Sequence, residues 1–175
     1  GEGATLNNIA AIYRARGDYD QALNYLRQSL SIFREIGDRA GEGATLNNIA
    51  AIYDARGDYE QALNYLRQSL TIRREIGDRA GEGVCLHNLA GIYLQRGEIE
   101  QAVERLVQAL QIAREVNAAE LLLAGYRDLG GLLCVMGQKK EGLDLLHQAL
   151  QLGREMGHPG VPQIEAILRK FEEED

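Results

Sequence analysis

The chain has 175 residues, of which 26 are acidic and 19 are basic, so its formal net charge is −7. This charge argues against nucleic acid as the main partner, because phosphate binding needs a basic surface, and it also argues against docking on an anionic membrane. Hydrophobic residues make up 45% of the chain, and no uncharged apolar run reaches the ~18 residues that a membrane-spanning helix needs.

Glycine is frequent, with 20 residues, whereas the chain has only two prolines. This combination suits helices that each end at a glycine. The two cysteines, Cys85 and Cys134, form neither a disulfide framework nor a zinc-binding pattern, which indicates a reducing compartment. Because the sequence shows no signal peptide, we expect a cytoplasmic protein. The chain begins at Gly1 in the middle of a pattern that recurs later, so we also expect it to be a fragment of a longer protein.

The dominant feature of the sequence is a repeat with a period of 40 residues. The first two copies differ at only four positions, the third keeps much of the pattern and the fourth keeps its skeleton. A period of this length indicates a solenoid, in which each repeat stacks on the next. The four predicted repeats occupy residues 1–40, 41–80, 81–120 and 121–160, and a separate segment follows over residues 161–175.

Each repeat carries two apolar stripes with helical spacing. In the second repeat these stripes are Leu46, Ile49, Ala50 and Tyr53, followed by Tyr59, Ala62, Leu63, Leu66 and Leu70. Gly57 stands between them and can close a helix in the left-handed conformation, while Asp58 can accept hydrogen bonds from the free amides of the next helix. The turns at the positions that correspond to Gly57-Asp58 along the chain divide it into eight predicted helices. These lie near residues 1–16, 19–36, 39–56, 59–76, 79–96, 99–116, 119–136 and 139–156.

Comparison of the four copies predicts which positions are fixed by packing. Small residues mark where the helices approach closely: Ala10, Ala50, Ala90 and Gly130 in the first helices, and Ala22, Ala62, Ala102 and Gly142 in the second. One variable position holds Phe33, Arg73, Ala113 and Gly153, which predicts that replacing Arg73 changes the stability by less than ~0.5 kcal/mol. Arg-Glu pairs such as Arg34-Glu35 end the second helices and predict ion pairs between repeats.

The repeat pattern stops after residue 160, where His158 to Pro162 interrupt the chain. Proline is favourable at the start of a helix, so a new helix is predicted near residues 162–173. Its apolar stripe consists of Ile164, Ile167, Leu168 and Phe171. We expect this helix to cap the open edge of the last repeat, and we expect residues 172–175 to fray as an acidic tail.

The residue pattern within each repeat resembles the tetratricopeptide repeat. The resemblance rests on Leu46, Ile49, Ala50, Tyr53, Gly57, Ala62, Leu66 and Ser69 at their spacing in the second copy. The 40-residue period and the Gly-Asp-Arg-Ala-Gly-Glu-Gly joint are most similar to a longer variety of this repeat. That variety is known from spindle-orientation adaptors of the Pins type and from many bacterial regulators. The run from Thr45 to Ala50 is also similar to kinesin light chains. The resemblance implies an all-α protein, an α-solenoid of four helix hairpins in a right-handed superhelix with a C-terminal capping helix.

Candidate catalytic and metal-binding groups are few. Cys85 and His87 lie near Glu82, but positions two apart on a helix point in different directions, and Thr45 and Asn47 take their places in the second repeat. No serine or cysteine stands near a base at catalytic spacing. We therefore expect no metal, no cofactor and no enzymatic activity.

Binding is predicted on the concave face, which the first helices of a solenoid line. Two positions seven apart differ between the repeats, so packing does not dictate them: Asn7, Asn47, His87 and Arg127, and then Arg14, Asp54, Leu94 and Cys134. Small residues between them predict an open floor: Ala11, Ala51, Gly91 and Gly131.

A polar row runs beside these positions and consists of Asn8, Asn48, Asn88 and Asp128. An asparagine amide offers a donor and an acceptor, so it can pair with the backbone of an extended peptide. The alternative is that these asparagines tie adjacent helices together. The predicted peptide-binding residues are Asn7, Asn8, Arg14, Asn47, Asn48, Asp54, His87, Asn88, Leu94, Arg127 and Asp128.

Two functions remain open on this sequence. The first is a non-enzymatic scaffold for protein–protein interactions that binds a protein or peptide ligand in the groove, without nucleic acid or membrane. The second is a structural or sensor arm of a larger regulator, such as a signalling ATPase or protease, with mainly intramolecular contacts. The first hairpin has no preceding helix over Leu6, Ile9 and Tyr13, which predicts a homodimer through this edge unless residues of a longer parent protein cover it.

Overall fold

The computed structural model describes residues 1–173, which form nine α-helices and no β-strand. The helices are α1 (Glu2–Ala15), α2 (Tyr19–Glu35), α3 (Arg39–Ala55), α4 (Tyr59–Glu75), α5 (Arg79–Gln95), α6 (Ile99–Glu115), α7 (Ala119–Val135), α8 (Lys139–Glu155) and α9 (Val161–Glu172). The predicted all-α class is confirmed, and every predicted helix agrees with its observed bounds to within one residue. Part of the predicted acidic tail, residues 174 and 175, lies outside the described residues.

The helices pack in chain order, each against the next, from α1 to α9. The odd-numbered helices also contact one another, α1 with α3, α3 with α5, α5 with α7 and α7 with α9. This succession is the packing of a solenoid, in which each repeat contacts its neighbours. It places the odd helices side by side in one layer, and all of the predicted binding residues lie on this layer. None of the described helices combines the length and the apolar composition that crossing a bilayer needs.

The turns between helices follow the chemistry that the Gly-Asp pairs predict. Gly57 adopts a φ of 76°, and the Asp58 carboxylate accepts a hydrogen bond of 3.2 Å from the Gln61 amide of α4. Asp18, Asp38 and Asp78 cap the following helices in the same way. At the end of α6 the pair is replaced by Asn117 and Ala118, and Asn117 takes the left-handed conformation with a φ of 52°. Asparagine tolerates this conformation better than most residues, which keeps the turn intact.

The buried core follows the predicted stripes. One leucine of each second helix is almost fully buried: Leu26, Leu66, Leu106 and Leu146. All eight of the small residues predicted at close helix contacts are also buried.

The two ends of the solenoid differ. At the far end, α9 packs Ile164 and Leu168 against Leu123 and Leu146, as expected of a capping helix. At the other end, Leu6 and Ile9 are only half-buried, whereas the equivalent Leu46 and Ile49 are buried, and self-association there stays a prediction.

The variable position of the second helices is buried or half-buried in every repeat, and the small effect expected of replacing Arg73 stays a prediction. Phe33 is buried, and the side chain of Arg73 is only 14% exposed and pairs with Asp78. Phe33 fills the space beside Gly3, where an added Cβ would lie 2.9 Å from the ring. In the fourth repeat the sizes are exchanged, because the equivalent residues are Gly153 and the buried Leu123. In the first and fourth repeats the two neighbouring positions therefore compensate each other in volume.

Two of the arginines at the ends of the second helices, Arg34 and Arg74, form the predicted ion pairs between repeats. The Nε of Arg34 donates to Oε1 of Glu42 at 2.8 Å, and Arg39 binds the other oxygen of the same carboxylate at 2.5 Å while also pairing with Glu75. The next junction repeats the arrangement with Arg74, Glu82, Arg79 and Glu115. Burial by itself would raise the pKa of Glu42, but hydrogen bonds and charge from the two arginines outweigh it and lower the pKa, and Glu82 behaves likewise.

Acid should therefore weaken the protein through these two glutamates. A lowered folded-state pKa means that the charged network stabilises the fold fully above the ordinary glutamate pKa of 4.5 and loses this contribution as the pH falls through the folded pKa. We expect the double variant Glu42→Gln, Glu82→Gln to lose about 1–2 kcal/mol per glutamate at neutral pH. It should then show a flatter decline in unfolding free energy toward acid than the unsubstituted protein, measured by urea unfolding at a series of pH values. Glu141→Gln, at an exposed position of α8, is the control and should leave the pH profile unchanged.

Candidate functional site

The predicted binding residues line three cavities on the layer of odd helices, of which the first two share Arg14 and Asn48 in their walls, and we call the three together the groove. The first cavity, about 160 Å³, includes Asn7, Arg14 and Asn48 in its wall. The central cavity, about 300 Å³, is lined by Arg14, Asn47, Asn48, Asp54, His87 and Asn88, among others. The end cavity, about 270 Å³, includes Leu94, Arg127 and Asp128. Asn8 is the exception, because it is exposed on α1 and lines none of these three cavities.

Small residues form the floor of the groove. Ala51 and Gly91 lie in the central cavity, Ala11 in the first cavity and Gly131 in the end cavity. A Cβ added at Gly91 or Gly131 would meet no atom within 4 Å, so the groove is open above both glycines. The remaining member of the variable row, Cys134, is buried against Gly142 of α8, away from the groove.

Several of the polar residues tie neighbouring odd helices together. The amide of Asn88 donates to the side-chain oxygen of Asn47 at 2.9 Å, which joins α5 to α3. His87 and Asp128 are 2.9 Å apart and join α5 to α7 in the same register. Asn7 donates to the hydroxyl of Thr45 at 3.0 Å and joins α1 to α3. Of the asparagines for which ties between helices were the alternative, Asn88 forms such a tie. Asn7 and Asn47, which belong to the neighbouring variable row, form ties as well.

Asn48 does not take part in these ties. The register of the other two pairs would join Asn48 to Asn7, but Asn7 instead exchanges hydrogen bonds with Thr45. Within residues 1–173, the carboxamide of Asn48 has no hydrogen bond to another protein group, although the residue is half-buried. It lies in the walls of both the first and the central cavity. Asn48 is thus the groove amide whose donor and acceptor are both available.

The charges in the groove differ in their availability. Burial would raise the pKa of Asp128, but hydrogen bonds from His87 and Arg127 outweigh burial and lower it, so this carboxylate is charged and occupied. Burial raises the pKa of Asp54, and a hydrogen bond of 3.0 Å from Gln95 offsets this only in part. Arg14 is exposed and forms no ion pair with the part of the chain that the structure describes. The central cavity therefore offers a ligand one cationic and one anionic group.

Sequence reasoning missed a further concave surface next to the groove. A hollow of about 430 Å³ lies between the N-terminal halves of α5 and α7, and we call it the apolar hollow. Its wall consists of Ala80, Val84, His87, Ala118, Ala119, Glu120, Leu121 and Ala124. One feature of the sequence could have pointed to this hollow: Ala118-Ala119 stand where an Asp-Arg pair starts α3 and α5. Among residues 1–173, no cluster of three or more His, Cys, Asp or Glu side chains could hold a metal ion.

Comparison with solved structures finds the same fold in several proteins of low sequence identity. A Podosopora anserina protein described as a kinesin light chain with nearly identical TPR-like repeats superposes with a TM-score of 0.77 at 22% identity, covering 97% of this chain and 85% of that one. Aspartyl phosphate phosphatase F from Bacillus subtilis gives a TM-score of 0.91 at 13% identity, covering 97% and 45%. A Signal Transduction ATPase with Numerous Domains, with a tetratricopeptide repeat sensor, from Pyrococcus horikoshii gives 0.81 at 19% identity, covering 95% and 26%.

Sequence comparison identifies the family directly. No curated protein matches the sequence. The family profile described as Tetratricopeptide repeat matches residues 2–75 and 68–115, which is more than half of the chain. The helix hairpins, their stacking and this match agree, and the fold of this family is a scaffold for protein interactions. The chain belongs to the tetratricopeptide repeat family.

Proposed function

We propose that the groove binds an extended segment of a partner protein, and that the protein acts as a non-enzymatic interaction scaffold. The observation that carries this proposal is the unpartnered carboxamide of Asn48 in the shared wall of two open cavities. The nitrogen and oxygen of this carboxamide are not sealed from solvent, so a ligand in the groove can reach both of them. An extended peptide has unpaired backbone donors and acceptors that can pair with these two atoms.

The surrounding residues suit the same role. The ties from Asn88 to Asn47 and from His87 to Asp128 hold the odd helices in register, so the groove is preorganised and little ordering is needed on binding. Arg14 and Asp54 add one charge of each sign to the central cavity. The asparagine side chains suit contacts with a peptide backbone. The two charges can orient the bound peptide by pairing with charged groups on it.

Replacing Asn48 is the sharpest test. A library of random 12-residue peptides would be selected on the unsubstituted protein, and the affinity of an enriched peptide measured by fluorescence anisotropy. Asn48→Ala should weaken binding about two- to thirteenfold, since a backbone hydrogen bond contributes about 0.5–1.5 kcal/mol. Asn24→Ala, at an exposed asparagine of α2 that lines none of the three cavities, is the matched control and should bind as the unsubstituted protein does.

Asn47 is a poorer choice for this test. Its oxygen accepts the hydrogen bond from Asn88, so Asn47→Ala would leave a half-buried donor unpaired and change the scaffold as well as the ligand contact. If enriched peptides bind equally well to Asn48→Ala and to the control, their contact lies on another face of the solenoid.

The second candidate function is a sensor arm within a larger protein. What favours it is that this chain covers only 26% of the Pyrococcus horikoshii ATPase and 45% of the Bacillus subtilis phosphatase on which it superposes. A photo-crosslinking residue in place of Ala51, on the floor of the central cavity, would separate the two functions in cells. Crosslinks to a different polypeptide support the scaffold, whereas crosslinks within the same polypeptide support the sensor arm.

A further inference from the structure

The apolar hollow exists because the charged network of the repeat junctions stops before α7. At the two preceding junctions an aspartate caps the helix and an arginine bridges two glutamates, as Arg79 does between Glu82 and Glu115 at 2.5 Å each. At the start of α7 the aspartate, the arginine and the first glutamate are replaced by Ala118, Ala119 and Leu122. Arg114, deprived of a carboxylate at position 122, donates instead to the hydroxyl of Tyr126 at 3.3 Å.

The substitutions leave apolar side chains in an open position. Val84 is 43% exposed, although it faces the apolar hollow together with Ala80, Ala124 and Leu121. Isolated exposed apolar side chains are common, but a concave group of them between two packed helices is a typical place for a partner's apolar side chain.

The apolar hollow borders the groove at His87. One helical stripe of α5 runs through Ala80, Val84, His87, Gly91 and Leu94. Its first three members line the apolar hollow, His87 and Gly91 line the central cavity, and Leu94 lines the end cavity. His87 belongs to both walls, so the apolar hollow and the central cavity meet at this residue.

The charge at the rim of the apolar hollow is negative. Glu120 lies in its wall with a side chain that is 73% exposed, and the Nε2 atom of His158 lies 3.5 Å from the Glu120 carboxylate. The whole chain carries a net charge of −7. A lysine or arginine beside the apolar residue of a ligand would complement this carboxylate.

We propose that the apolar hollow receives one bulky apolar side chain, of leucine size, that is followed by a basic residue in the segment bound in the groove. This proposal rests on the proposed function, since it assigns a side-chain preference to the same ligand. Val84 and Gly91 are seven residues apart on α5, or about 10 Å at a rise of 1.5 Å per residue. An extended chain advances about 3.3–3.6 Å per residue, so the apolar residue lies about three residues from the part of the segment over Gly91.

The test uses a small probe that does not depend on peptide binding in the rest of the groove. N-acetyl-leucyl-lysinamide would be titrated into the protein while the methyl signals of Ala80, Val84, Leu121 and Ala124 are followed by NMR. These signals should shift together and saturably. N-acetyl-alanyl-lysinamide should bind at least about tenfold more weakly because it lacks three carbon atoms to bury. N-acetyl-leucyl-glutamamide should bind about two- to fivefold more weakly because of Glu120.

Two variants complete the experiment. Ala119→Arg restores the residue that starts α3 and α5, so the fold should tolerate it, and it should reduce binding of the leucyl-lysine probe at least about tenfold by occupying the apolar hollow. Asn48→Ala should leave the binding of this probe unchanged, because Asn48 does not line the apolar hollow.

The outcomes separate this proposal from the proposed function. Equal binding of the leucyl and alanyl probes, or shifts confined to other parts of the protein, would overturn the assignment of the apolar hollow. Library peptides that lose affinity on Asn48→Ala but ignore Ala119→Arg would also overturn it, while the groove proposal stands. Probe binding in the apolar hollow together with peptides that ignore Asn48→Ala would support the apolar hollow and contradict the groove.

Discussion

Replacing Leu106 with alanine should lower the free energy of unfolding by about 2–5 kcal/mol, the cost of an unfilled cavity in a packed core. The Leu106 side chain is 1% exposed and packs in a cluster with Ala90, Leu110 and Leu129, which joins α5, α6 and α7. The substitution therefore removes contacts within the third repeat and across its junction with the fourth. Urea unfolding followed by circular dichroism measures the loss, and Leu66→Ala, at the equivalent position of α4, should behave alike.

Leu94 provides the matched control for this prediction. It is also a leucine of the third repeat, but it is half-buried and lines the end cavity of the groove. Leu94→Ala should cost well under half as much as Leu106→Ala, because the truncated side chain leaves open space already in contact with solvent. Equal losses at the two positions would show that the apolar stripe of the second helices has been assigned to the wrong face.

The second large effect concerns Gly142 of α8, where alanine should destabilise the protein by about 1–3 kcal/mol. A Cβ at this position would lie 2.6 Å from the carbonyl oxygen of Gly130 and 2.8 Å from the amide nitrogen of Cys134, and both atoms belong to the backbone of α7. Backbone atoms cannot move aside as a flexible side chain can, so the two helices must separate. The equivalent residues of the other repeats are alanines, at Ala22, Ala62 and Ala102, so the repeat pattern alone would predict a harmless change.

Gly131→Ala is the matched control, on the partner helix α7. A Cβ there would meet no atom within 4 Å, so the change should follow helix propensity and stabilise the protein by about 0.5–1 kcal/mol. Thermal unfolding should show the two glycine variants moving in opposite directions. A stabilised Gly142→Ala protein would mean that α7 and α8 can separate without loss of packing.

The sequence by itself determined the helices and their order. Helical spacing of apolar residues, glycine at the turns and aspartate after it are local properties, and each acts within a few residues of the chain. Leu46, Gly57 and Asp58 therefore predicted a stripe, a helix end and a cap that the structure contains at those positions. The repeat period then predicted stacking, because a single hairpin cannot bury both of its stripes.

The tertiary structure alone decided which variable residues are free to bind. Comparison of the repeats treated Asn47 and Asn48 alike as groove residues, but Asn47 accepts a hydrogen bond from a residue 41 positions away, whereas Asn48 has none among the described residues. The same comparison could not show that the side chain of Arg73 is only 14% exposed and pairs with Asp78, or that its counterpart Phe33 packs against Gly3. Such pairings join residues that are distant in the chain, and their energies depend on the separation and orientation of two helices. No local pattern records these quantities, so the available amide and the apolar hollow became visible only once the helices were placed side by side.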